Sequence, residues 1–292
     1  MSEGIGAPAV ATAHPYVFVS GMKKSGTNWI AGLIASHPHV LLCGELHLEL
    51  LHAAVRSYCD ASWVSLGGDD IEAVWPAMAR AVLDGRLTSQ LARSGREGLP
   101  RTLVDHTPGW VALHVGDAAR YVHVVRDVRD VMVSDAFHSM NLGEYPPDVA
   151  ADQAAHIAGW RADPSYFDRH PAALLHPAEV HRLVLTWVDI VTKAEAVVAE
   201  HPDLVTLVRF EDVHVDHRAQ QARLLTFSGL DPAQADGVLD TELLPAFGAR
   251  AEDPYAFNRK GIVGDHAAYW SADLEAVVQE LAGDALVRLG YP

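Results

Sequence analysis

Positive charge is scarce in this chain, and lysine scarcer still. Of 292 residues, 22 are Lys or Arg against 38 Asp or Glu, giving a formal net charge of −16, and only Lys23, Lys24, Lys193 and Lys260 are lysines. A surface of that sign repels nucleic acid and anionic membrane, so neither is expected as a partner. The two cysteines, Cys43 and Cys59, make no disulfide framework. Cys43, inside Val40-Leu41-Leu42-Cys43, reads as a small buried hydrophobe. No apolar run is long enough to cross a bilayer. The first residues lack the basic region and apolar core of a secretory signal, and a cytoplasmic location is expected. The 17 histidines invite a metal, yet no His-Glu-x-x-His or Cys-x-x-Cys occurs. The densest cluster, Glu45, His47, Glu49 and His52, sets no two histidines one helical turn apart, so no metal is expected.

Hydrophobic residues make up 49% of the chain, enough for a sizeable core. Short runs rich in Val, Leu and aromatics predict strands at 16–20, 39–43, 101–104, 121–125 and 204–208. Helical patterns fall at about 26–36, 69–84, 128–141, 178–200, 217–228 and 271–289. This alternation predicts an α/β fold, a doubly wound parallel sheet whose ligands bind at the carboxyl ends of its strands. Residues 1–14 read as a flexible N-terminal tail and 15–292 as one domain. The stretch 142–176, rich in Pro, Asp, His and aromatics, breaks the rhythm and reads as a lid or acceptor loop. There Trp160, Tyr166 and Phe167 either line a pocket or pack.

Residues 16–29, Tyr-Val-Phe-Val-Ser-Gly-Met-Lys-Lys-Ser-Gly-Thr-Asn-Trp, read as a strand, a loop and the opening of a helix. The first N–H groups of a helix point outward without intrahelical partners, and the dipole adds positive charge, so the place suits phosphate or sulfate. Lys23 and Lys24 add full charge, and Ser25 and Thr27 add hydroxyls. An ATP-type phosphate loop needs Gly-Lys-Ser/Thr after four intervening residues. Gly21 and Gly26 keep the spacing, but Thr27 follows Gly26 directly and the lysine stands at Lys24, which disfavours an ATP-dependent kinase.

A second strand–turn–helix unit spans 121–134, with Arg126 at the strand's end and Asp127 as a helix-capping acid. Arginine grips phosphate with paired donors. The nearby Arg129 reads as an ion-pair partner of Asp130 or a helix neighbour. A third basic segment is Arg259-Lys260-Gly261-Ile262-Val263-Gly264-Asp265, in which Gly261 allows close backbone approach to a phosphate and Asp265 reads as a cap for the last helix.

Lys24-Ser25-Gly26-Thr27-Asn28-Trp29 resembles the first signature of sulfotransferases that use 3′-phosphoadenosine 5′-phosphosulfate (PAPS). Arg126 and Ser134 keep the separation of that family's second signature, and Arg259-Lys260-Gly261 with Gly264-Asp265 resembles its third. His266 stands where the family usually has tryptophan. The resemblance, spread from residue 20 to residue 269, implies a phosphate-loop nucleotide-kinase-like fold. It implies sulfuryl transfer from PAPS, with 3′-phosphoadenosine 5′-phosphate (PAP) as product, to a hydroxyl of a small-molecule acceptor. It implies that Lys24 stabilises the leaving oxygen and that Arg126 and Ser134 hold the 3′-phosphate. Lys23, Ser25, Gly26, Thr27, Asn28, Trp29, Arg259, Lys260 and Gly261 would complete the cofactor site. Phe210, in Arg209-Phe210-Glu211-Asp212, stands where the family often has an adenine-facing tyrosine, and keeps the ring for stacking. Trp29 reads equally as an adenine wall or as core.

Two residues compete as the base. His106, in Val104-Asp105-His106-Thr107-Pro108, aligns with the catalytic histidine of small-molecule sulfotransferases, although Val104 replaces their lysine. Glu45, in Cys43-Gly44-Glu45, resembles the glutamate base of carbohydrate-type and many bacterial members, and is preferred with His106 as partner or alternative. The acceptor's pocket is expected from 44–70 and 142–176. A non-catalytic nucleotide-binding module would lack Lys24 and both bases. A homo-oligomer is compatible with the sequence.

Overall fold

Five runs of β-branched and aromatic residues pair into one all-parallel sheet: β1 Tyr16–Gly21, β2 Val40–Gly44, β3 Thr102–Asp105, β4 Ala119–Val125 and β5 Val205–Arg209, in the order β2-β3-β1-β4-β5. The computed structural model describes residues 15–61, 68–94, 102–235 and 259–292. The expected tail at 1–14 and residue 101 of the third predicted strand lie outside them. β1 is buried along its whole length, as befits a central strand with helices on both faces.

Among the described residues ten helices surround the sheet: α1 Thr27–Ala35, α2 Leu48–Cys59, α3 Gly68–Ser94, α4 Val128–Leu142, α5 Pro147–Ala162, α6 Tyr166–Arg169, α7 Pro177–Glu200, α8 Phe210–Val215, α9 His217–Phe227 and α10 Ala272–Arg288. One core gathers α4, α5, α7 and α10 around Met132, Phe137, Trp160, Phe167 and Trp187. A second joins α1, α8 and α9 to Val17, Val19, Val122 and Val124 of β1 and β4. A third seats α3 on Phe18, Leu103 and Tyr121.

The strands and six expected helices are present, with ends shifted by one or two residues except for α3, which runs to Ser94 rather than 84. Four helices were not anticipated. The segment 142–176 is not a loop: it holds α5 and α6, and Trp160 and Phe167 are each 1% exposed in the core. Pro147 at the first turn of α5 is a helix-start signal, and the alanine-rich stretch behind it has no clean apolar period to announce a helix. Cys43 is buried, which pushes its thiol up to about 12.

Phe167 packs edge-on against Phe137 at 5.9 Å between ring centroids. Phe167→Ala is therefore expected to destabilise the chain by about 3–5 kcal/mol in urea denaturation, as an emptied core aromatic does. A lid residue would cost almost nothing.

Candidate active site

The carboxyl ends of the five strands open onto a cavity of about 470 Å³, lined by residues that follow every strand. The loop between β1 and α1 forms its floor. Gly21 is fixed there by paired backbone hydrogen bonds with Gly109, which also places Pro108 in the wall. Gly26 has φ 99°, and a Cβ on it would meet the Phe210 ring at 2.5 Å, so only glycine fits. Thr27, Asn28 and Trp29 form the first turn of α1, which carries no acidic residue, and all three line the cavity. The Ser25 hydroxyl is buried and makes no hydrogen bond among the described residues.

Arg126, at the end of β4, is 6% exposed and ties the segments together. Its Nη1 donates to the Lys24 carbonyl at 3.0 Å, its Nη2 to the Ile262 carbonyl at 2.9 Å, and the guanidinium lies 4.4 Å from the Phe210 ring centroid. Its buried Nε has no hydrogen-bond partner among the described residues. Phe210 is 1% exposed, and Arg126 covers the ring that was expected to stack on a base. Trp29 packs edge-on against Phe210 at 5.4 Å, 5% exposed, so it is core and cavity wall together.

Ser134 reaches the cavity from α4, with His138 one turn further along. Asp130 of the same helix is buried and binds the third segment: it accepts from Gly264 N at 2.8 Å and from His266 N at 3.0 Å, and meets the His266 ring at 2.8 Å. Burial opposes its ionisation, but the His266 ring, Arg126 and these donors outweigh it and hold the carboxyl below its ordinary value. Arg129 pairs with Asp127 at 2.7 Å and Glu275 at 3.4 Å, an ion-pair role as expected, though not with Asp130. Asp127 caps α4 by accepting from Arg129 N.

Arg259, Lys260 and Gly261 line the far wall. Asp265 does not cap α10, whose cap is Ser271; it ion-pairs with Arg259 and lies 3.1 Å from Lys260 Nζ. Lys24 lies half-buried among these cations. Burial, together with Lys23, Arg126 and Arg259, lowers its amine to about 8 against the pull of Asp135. Lys23 lines the cavity too, but its ammonium lies 2.9 Å from Asp135 and 3.1 Å from Glu144.

Glu45 and His106 are brought together by Asp105, a carboxylate at the end of β3. It accepts from Leu46 N at 2.8 Å and Thr107 N at 3.0 Å, while His106 N donates to Gly44 O at 3.3 Å. Glu45 lines the cavity. His106 stands behind it, its side chain 12% exposed, with Nδ1 3.7 Å from Glu45 Oε1. His47 meets the other Glu45 oxygen at 3.4 Å and is gripped from behind by Glu49 at 2.8 Å. That Glu49 hydrogen bond holds the His47 imidazole above its ordinary value. Among the described residues no group of three His, Cys, Asp or Glu is arranged to hold a metal.

His138 and Glu144 are not singled out by the sequence, and His47 is weighed there only as a metal ligand and set aside. His138 was legible as the residue four after Ser134, on the same helical face. Glu144 follows the left-handed Gly143 that ends α4, a turn with no chemical signature of its own.

Residues 14–290 match the family described as sulfotransferase domain, and the chain belongs to that family. It is an enzyme of sulfuryl transfer. No curated protein sequence matches it significantly. Among solved structures, mouse sulfotransferase SULT7A1 in complex with PAP shares 16% identity at a TM-score of 0.51, over 95% of this chain and 87% of that one. Retinol dehydratase in complex with androsterone and inactive cofactor PAP shares 19% at 0.48, over 95% and 82%. The sulfotransferase domain of the Synechococcus PCC 7002 olefin synthase shares 17% at 0.43, over 95% and 96%. At these identities the likeness is one of fold. No helix among the described residues is long and apolar enough to cross a membrane.

With only four lysines in the chain, ¹³C-dimethylation gives a readable NMR titration. Lys24 is expected near 8 and Lys23 above the ordinary lysine value, because Asp135 and Glu144 outweigh its burial. Two coincident titrations at the ordinary value would contradict the geometry.

Proposed function

We propose that this enzyme binds PAPS in the cavity and passes its sulfuryl group to a hydroxyl of a small-molecule acceptor. The observation that carries the reading is the convergence of Lys24, Arg126, Arg259 and Lys260 on one cavity in a chain of net charge −16. Even with Asp130 and Asp265 beside them, four cations on one cavity make it the place in this acidic chain that attracts an anion. The orphaned Ser25 hydroxyl and Arg126 Nε fit the same group as unused donors.

In this reading Ser25, Gly26, Thr27 and Asn28 hold the 5′-phosphate at the start of α1. Arg126, Ser134, Arg259, Lys260 and Gly261 hold the 3′-phosphate, and Trp29 with the edge of Phe210 flanks the base. Bound there, PAPS supplies an activated sulfuryl group. Lys24 neutralises the charge that grows on the leaving phosphate oxygen. Glu45 takes the proton from the acceptor hydroxyl, since it lines the cavity whereas His106 stands behind it. His47, gripped in turn by Glu49, lies against one of its oxygens at 3.4 Å, and His106 stands 3.7 Å from the other. Positioning and electrostatics supply most of the rate, as in phosphoryl transfer. The acceptor enters past His47, His138 and Glu144, which line the cavity and carry no role toward the nucleotide in this reading. The chain works in the cytoplasm in this reading, consistent with its two unpaired cysteines.

PAP release from PAPS with a pool of hydroxylated small molecules tests the proposal. Lys24→Ala is expected to abolish release, and Arg126→Ala to raise the KM for PAPS chiefly. Glu45→Gln should cost at least about a hundredfold in kcat with PAP affinity intact, and His106→Ala less. Undiminished release by Lys24→Ala would sink the assignment. Between about pH 7, above which the nucleotide's phosphates are fully ionised, and about pH 8, Lys24 is protonated and nucleotide affinity is flat. Above it the free enzyme loses that charge, and affinity falls by at most about tenfold per pH unit.

A further inference from the structure

A β-turn opens the phosphate loop. Ser25 N donates to Met22 O at 2.9 Å, and Lys24, third residue of the turn, has φ 71°. Lys23, second in the turn, is not among the residues of positive φ. That combination defines the turn type whose third position normally takes Gly or Asn and whose second favours proline. A lysine at the third position is strained, and such strain persists only where the surroundings over-determine it. From one side, Arg126 fixes the Lys24 carbonyl at 3.0 Å. From the other, Lys23 reaches across to α4 and holds Asp135 at 2.9 Å and Glu144 at 3.1 Å. The Asp135 side chain is 5% exposed, an anchor buried in the helix packing, and Glu144 closes over the pair from the surface.

We propose that Lys23 is a positioning residue and not a nucleotide ligand: clamped by Asp135 and Glu144, it holds the turn that presents Lys24. The proposal rests on the role given to Lys24 under Proposed function. It gives Asp135 and Glu144 an unusual property, since each is a carboxylate beside an anion site that strengthens the site. Coulomb's law alone demands the reverse, because neutralising a nearby carboxylate should tighten anion binding. A ligating Lys23 would demand the reverse as well, because losing its partners would leave its charge to the nucleotide.

Calorimetric titration with PAP at about pH 6.5, well below the value near 8 of the Lys24 amine in the wild-type chain, separates the two by sign. Asp135→Asn and Glu144→Gln are each expected to bind PAP more weakly, Asp135→Asn by about five- to tenfold. Lys23→Met should weaken binding similarly, and adding Lys23→Met to Asp135→Asn should cost little more. Lys23→Pro supplies no charge but presets the turn, and should bind PAP several-fold more tightly than Lys23→Met. Tighter or unchanged binding by either carboxylate variant would overturn the proposal. So would Lys23→Pro no better than Lys23→Met. Should Asp135→Asn fail to fold, Glu144→Gln at the surface and the proline rescue decide. A wild-type chain that does not bind PAP would overturn the reading beneath it, whereas wild-type binding with the wrong sign overturns the clamp alone.

Discussion

The guanidinium of Arg126 is the interaction on which the site depends. Three stretches far apart in sequence meet on it: the loop after β1 through the Lys24 carbonyl, the third basic segment through the Ile262 carbonyl, and the end of β5 through the Phe210 ring. Its own carbonyl accepts from the Trp187 indole at 3.0 Å, which links it to α7 and the largest core. An arginine can do this because its five donors are fixed in one plane, so two carbonyls and a ring can be met at once. A lysine could satisfy only part of that set.

Around Arg126 the acidic residues decide where the cations point. Asp130 lies 3.8 Å from Arg126 and binds the backbone at Gly264 and His266, so one carboxylate faces a cation and fastens the third segment to α4. Asp265 holds Arg259 and Lys260. Asp135 and Glu144 hold Lys23. Partly buried pairs of this kind are weak as sources of stability, but they fix side chains that would otherwise sweep through many rotamers. An acidic chain thereby keeps a compact cationic pocket. The pocket offers positive charge to a small anion in a chain whose net charge is negative.

Much of the fold was legible because buried parallel strands are written as short apolar runs and helices as periodic ones. The three basic segments were legible as spacing: Lys24, Arg126 and Arg259 each sit at the end of a strand or at a glycine turn, and the structure brings all three to one cavity. What stayed hidden were partners in three dimensions. Lys23 and Lys24 are neighbours with the same side chain and both line the cavity, yet the Lys23 ammonium is held by Asp135 and Glu144, and Lys24 alone takes the left-handed conformation. Asp265 looked like a helix cap but answers two cations instead. Phe210 looked like a stacking face, but Arg126 covers it. The stretch 142–176 looked like a loop because prolines and polar residues mask an alanine-rich helix whose Trp160, with Phe167 of the helix after it, fills the core.

The most direct test of the central claim, that this pocket is built for a nucleotide carrying a 3′-phosphate, is calorimetric titration of the purified wild-type chain with PAP beside ATP and magnesium. Micromolar or tighter binding of PAP with ATP weaker by about a hundredfold or more is the expected result, since the loop lacks a lysine just before Thr27 and the proposed role of Arg126 is to hold a 3′-phosphate. Tighter binding of ATP, or equal binding of the two, would contradict it.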